Sequence, residues 1–137
     1  MIENKKEILS KVDKFLNTYN ENDIVRKEIE RMNDQEKLFL SHLLSNLTFI
    51  RNGIQPYAIT IKFFCKIFEI NTVDAVDSEI INTVSSSVTR FAKYMICEEN
   101  GYGTRLLCGH KISWVTGMII LSPNPNLEKI QKRWKTI

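Results

Sequence analysis

The sequence predicts an all-α domain, a bundle in which one buried hydrophobic helix is surrounded by amphipathic ones, and three observations carry that expectation. Apolar residues recur at helical spacing over most of the chain, as in Leu40, Leu43, Leu44 and Leu47, which fall at i, i+3, i+4 and i+7. The segment from Tyr57 to Phe68 is apolar almost all round, as a helix in the middle of a bundle is. No run alternates as a convincing strand, although Trp114 to Leu121 is ambiguous by itself. The 137 residues fit one domain, residues 1–137, and 43% apolar with 26% charged is the composition of a folded chain.

Ile8, Val12, Phe15, Leu16 and Tyr19 share one face, so residues 2–19 read as the first amphipathic helix. The polar stretch "NTYNENDIVRK" holds a turn, and Asn22 or Asp23 is placed to cap the next helix by accepting its free N–H groups. Ile24, Val25, Ile29 and Met32 mark that second helix. "NDQEK" is a break or a continuation, because Asp34 with Lys37 does not make a capping box. The leucine-rich third helix stops at Asn52-Gly53, where glycine can take the left-handed conformation.

Pro56 fits the first position of a new helix, with Gln55 as its cap, because proline's missing N–H is unpaired there anyway. That helix is the buried central one. "NTVDAVDSE" turns the chain, and Ile80, Val84, Val88, Phe91, Ala92 and Met95 mark a fifth helix closing at "ENGYG". Two shorter helical pieces are expected, one around Arg105 to Leu121 and one from Leu127 after the break "SPNPN".

Nineteen basic against 16 acidic residues leave a net charge of +3, with a basic excess only in "EKIQKRWKTI", too little to argue for nucleic acid. Cys65, Cys97 and Cys108 are odd in number and widely spaced, without paired-ligand spacing for zinc, which favours a reducing intracellular compartment. The N-terminus lacks the apolar stretch of a signal peptide, and "ISWVTGMIILS" is about half of what spans a bilayer, so a soluble protein without stable membrane insertion is expected. Cys108 with His110 is too small a set for a metal site, and "NGYGTR" lacks the strand and lysine of a phosphate loop. His42 reads as a partly exposed structural residue and "SSSVT" as small residues on a helix surface, so no catalytic constellation, and hence no enzyme or cofactor, is expected.

The segment "IRNGIQPYAITIKF" resembles the first homology motif of the Bcl-2 family of apoptosis regulators, roughly Phe-Arg-Asp-Gly-Val-Asn-Trp-Gly-Arg-Ile-Val-Ala-Phe-Phe. "ICEENGYG" is similar to the second motif, sharing the acidic residue and Asn100-Gly101 without the tryptophans, and "IERMND" is similar to the third, with Ile29, Met32 and Asp34 in register. The three occur in the family's order and cover most of the chain. Compact versions without a tail anchor look like those of large DNA viruses.

That resemblance implies a host-cytoplasmic inhibitor of apoptosis that holds the amphipathic death-motif helix of pro-apoptotic host proteins, a narrow set such as Bim, in an apolar groove. The groove would be walled by Leu40, Leu43, Leu44, Leu47 and Ile50 and floored by Tyr57 and Ile61, beside Asn52 and Gly53. Ala58 stands where the family has an arginine that pairs with the ligand's aspartate, and Arg51 is the nearest basic residue to replace it. Tyr57 in place of a glycine narrows the groove. A viral relative with a closed groove that binds innate-immune signalling adaptors is an alternative. So is a small basic nucleic-acid-binding domain using Lys129, Lys132, Arg133 and Lys135, and exposed leucines would favour a homodimer.

Overall fold

The computed structural model describes residues 4–50, 53–71, 78–99 and 102–137. The first helix, α1 (Lys5–Leu16), buries Val12, Phe15 and Leu16 on the face their spacing marks. Asp23 caps α2 (Ile24–Glu30), its Oδ1 accepting from Val25 N at 2.9 Å. A capping box does open α3 (Asp34–Asn46), one residue earlier than Asp34 and Lys37 would place it: Asn33 Oδ1 accepts from Glu36 N, and Glu36 Oε1 accepts from Asn33 N. The break at "NDQEK" is therefore real.

The expected all-α bundle is not what forms, because two segments read as helix are largely strand. Residues after Pro56 form β3 (Tyr57–Thr60), and only then does α4 (Ile61–Ile67) begin, capped by Thr60 Oγ1, which accepts from Phe63 N at 3.0 Å. Gln55 is no cap here. The stretch expected as a helix around Arg105 to Leu121 forms the hairpin β6 (Leu107–Ser113) and β7 (Met118–Pro123). Its turn ends at Gly117, whose φ of 70° is a left-handed conformation that glycine adopts without a steric penalty. The three strands make an antiparallel sheet in the order β3-β7-β6, with Tyr57 opposite Leu121 and Thr60 opposite Met118. The molecule is thus mixed α/β.

Two short hairpins complete the strands: β1 (Phe49–Ile50) with β2 (Gly53–Ile54), and β4 (Cys97–Glu99) with β5 (Tyr102–Thr104). The fifth helix, α5 (Ser78–Ala92), buries Ile80, Val84, Val88, Phe91 and Ala92 as its spacing requires, but ends before Met95, which is exposed. The last helix, α6 (Leu127–Lys135), starts where it is expected.

The central element is α3, which packs on α1, α4 and α6 and buries Leu38, Phe39, Leu40, Leu43 and Leu44. Phe39 meets Phe64, Phe68 and Phe91 at centroid distances of 5.3, 5.4 and 4.9 Å, joining α3, α4 and α5 in one aromatic cluster. At the other end of α3, the buried Gln131 of α6 donates through Nε2 to the carbonyls of Leu44 (3.0 Å) and Leu47 (2.7 Å), satisfying groups that a helix terminus leaves open.

Candidate functional site

Burying one stripe of α5 leaves the opposite stripe outside, and that stripe runs through Glu79, Asn82, Thr83, Ser85, Ser86, Thr89 and Arg90 to Lys93 just past the helix end. From Asn82 onward the side chains are short and polar except for the two bases, while Glu79 puts one acid at the start of the stripe. Thr83 and Ser87 turn their hydroxyls back to the carbonyls of Glu79 and Thr83, both at 2.8 Å, while Ser85, Ser86 and Thr89 line a cleft of about 790 Å³ between α5 and α2. The other wall carries Glu28 and Arg31.

The cleft is cationic. Arg31, Arg90 and Lys93 meet two acids, the buried Glu36 beneath Arg90 and Glu28 in the cleft wall. The Glu28 carboxylate is already engaged: Oε1 accepts from Arg31 Nη1 at 2.5 Å and Oε2 from Met95 N at 3.0 Å. Arg31 and Arg90 keep 69% and 64% of their side-chain surface exposed, so both guanidinium groups can meet an anion without first opening the core.

Arg90 is held from below. Glu36, 1% exposed, places Oε2 3.4 Å from Arg90 Nε, and its Oε1 accepts from the Tyr94 hydroxyl at 2.8 Å. Arg90 in turn donates to the Tyr94 oxygen from Nε and Nη2, both at 3.5 Å. The Tyr94 hydroxyl, first, and the Glu36 charge hold the guanidinium even more firmly charged than usual, and burial raises the Tyr94 pKa. Glu36 Oε2 has no hydrogen-bond partner among the described residues, so the Arg90 charge is what offsets its burial.

The residues expected to form an apolar groove are not gathered into one. Leu40, Leu43, Leu44 and Leu47 are 0–4% exposed within the core, where no ligand reaches them unless the core opens. Ile50 stands out at 55% exposure in β1, Gly53 lies in β2, and Ile61 starts α4 at the edge of the core. Tyr57 sits in β3 with its hydroxyl 2.7 Å from His42 Nε2. Arg51 and Asn52, and the Asn100-Gly101 of the second motif, lie outside the described residues. Cys108 and His110 are both exposed on β6, and among the described residues no cluster of three or more His, Cys, Asp or Glu is placed to hold a metal ion.

A second cleft, about 720 Å³, runs between α1, α3, α4 and α6, lined among others by Leu38, His42, Phe63, Ile67 and Trp134. His42 packs on Phe63 with ring centroids 4.8 Å apart, and burial lowers its pKa.

Sequence reasoning passed over the α5 cleft. "SSSVT" read as an inert surface, yet Ser86, Thr89, Arg90 and Lys93 recur at i, i+3, i+4 and i+7 on the face opposite the apolar stripe. That periodicity was the available signal. The α2 wall, brought up from 60 residues away by the fold, had none. No family model, curated protein or solved structure matches this chain. Among the described residues no helix is long and apolar enough to cross a membrane.

Proposed function

We propose that this chain binds double-stranded DNA, with the outer face of α5 in the major groove and the cationic cleft beside it on the phosphate backbone. The observation that carries the reading is that polar, base-bearing face, presented by the second of two successive helices, α4 and α5, with the β6–β7 hairpin coming after the short β4–β5 hairpin. With the short hairpins β1–β2 and β4–β5 set aside, the order α3, β3, α4, α5, β6, β7, with β3 beside β7, resembles that of a winged helix-turn-helix, in which the second helix of the pair reads base edges. The connection from Ile67 to Ser78 is longer than that motif's three- or four-residue turn. Asparagine, serine and threonine can each exchange hydrogen bonds with base edges, and Arg31, Arg90 and Lys93 supply cations for phosphates. B-form DNA fits better than duplex RNA, whose deep, narrow major groove does not admit a helix.

The overall charge of +3 led to the expectation that nucleic acid is not a partner, and the proposal revises it: the cations that matter are concentrated locally. Capture of a death-motif helix and the adaptor-binding alternative both presuppose a helical bundle. The fold is mixed rather than a bundle and Leu40, Leu43, Leu44 and Leu47 lie in the core, so the open groove expected for a death-motif helix has no exposed leucine wall, while adaptor binding through a helix face does not depend on that wall.

Fluorescence anisotropy with a mixed-sequence duplex of about 20 base pairs, repeated over a potassium chloride series, tests the proposal. Binding with a dissociation constant of about 10⁻⁴ to 10⁻⁶ M or tighter at physiological salt, weakening linearly in log–log form, is expected. An equal affinity for duplex RNA, or affinity indifferent to salt, would reject it.

A further inference from the structure

Resting on the duplex-binding reading, we infer that Arg90 is a pre-organised phosphate clamp and that Glu36 and Tyr94 are its positioning residues. A free arginine side chain loses rotamer freedom when it grips an anion, at a cost that fixing it beforehand removes. Arg90 is restrained on one side beforehand. Glu36 Oε2 lies 3.4 Å from its Nε, and the Tyr94 oxygen lies 3.5 Å from both Nε and Nη2, so the guanidinium is gripped along one edge. Its other side chain surface remains in the cleft with Arg31 and Lys93, and the group as a whole is 64% exposed.

The anchor is itself tied into the fold. Glu36 is the N3 residue of the α3 capping box, Tyr94 is 6% exposed, and the bond between them is buried. Glu36 accepts from Asn33 N and the Tyr94 hydroxyl, and its other oxygen, without a hydrogen bond, faces a largely solvated arginine. The geometry makes the buried carboxylate a fixed strut and leaves the cation outside for a ligand.

The test uses the full chain, a mixed-sequence DNA duplex of about 20 base pairs and the salt series above, with thermal melting to establish that each variant is folded. Arg90→Ala should lower the slope of log K against log salt by about 0.9, the loss of one phosphate contact. Tyr94→Phe should weaken binding by about 2- to 10-fold with the slope unchanged, because the contact survives but its ordering is no longer supplied in advance. Combined, the two should be no weaker than Arg90→Ala. Arg90→Lys, at an exposed position that tolerates it, should keep the slope and lose a similar 2- to 10-fold, since lysine lacks the fork that Tyr94 and Glu36 grip. An unchanged slope in Arg90→Ala, wild-type affinity in Arg90→Lys, or a Tyr94→Phe effect that persists in the Arg90→Ala background would each overturn the clamp while leaving duplex binding in place. Absence of salt-dependent binding by the wild-type chain would instead remove the parent reading together with the clamp.

Discussion

His42 lies against three other rings, with Phe39, Tyr57 and Phe63 at centroid distances of 6.4, 5.7 and 4.8 Å. Burial disfavours its charged form, and Lys11 and Lys66 line the same cleft with like charge. The folded pKa lies below the ordinary 6.5, so the unfolded chain takes up the proton first as pH falls. The contribution is present in full above about 6.5 and declines as pH drops toward the folded value. Denaturant unfolding at pH 7.5 and pH 5 should show wild type losing more stability than His42→Gln; equal losses would mean that the ring is not desolvated. Gln131 is a residue of the same kind, chosen for what it satisfies. Gln131→Leu should cost about 1–3 kcal/mol in the same assay, because the Leu44 and Leu47 carbonyls lose their shared donor.

Thr60 shows how one residue can end a strand and start a helix. Its backbone pairs with Met118 in the sheet and its hydroxyl caps α4. Thr60→Val should keep the strand, which favours β-branched residues, and lose the cap, for about 1 kcal/mol in thermal unfolding with the sheet intact. At the hairpin turn, Gly117→Ala should cost about 1–2 kcal/mol, since alanine must enter the left-handed region there. A cost near zero would mean the turn re-forms differently. The sequence reading of elements succeeded where one period ran unbroken: Val12, Phe15 and Leu16 in α1 and Ile80, Val84, Val88 and Phe91 in α5 are buried as their spacing requires. It failed where strand and helix abut without a break. Tyr57-Ala58-Ile59-Thr60 runs directly into Ile61, and the two together imitate one apolar helix. In β7 the half-exposed Ile120 stands between buried Ile119 and Leu121, so an alternating strand looks like a continuous apolar run.

At the scale of the molecule, the candidate DNA-binding face was half legible. The α5 stripe could be read from its period, whereas Arg31, Glu36 and Tyr94 come to Arg90 only through tertiary packing. If the outer face of α5 meets DNA, Ser86→Glu should weaken duplex binding at least about fivefold, the effect of one like charge at contact distance in water, while the melting temperature stays unchanged. Equal affinity for variant and wild type would place the duplex elsewhere. The bonds from Gln131 to Leu44 and Leu47 also reach across 87 and 84 positions of sequence. A ribosome makes α3 long before it makes its cap. The helix at the centre of the core therefore waits, unfinished at one end, until α6 has emerged, and contacts of such separation close slowly. A chain cut short before Gln131 would lack the donor for the Leu44 and Leu47 carbonyls and would leave that end of the core open to chaperones and proteases.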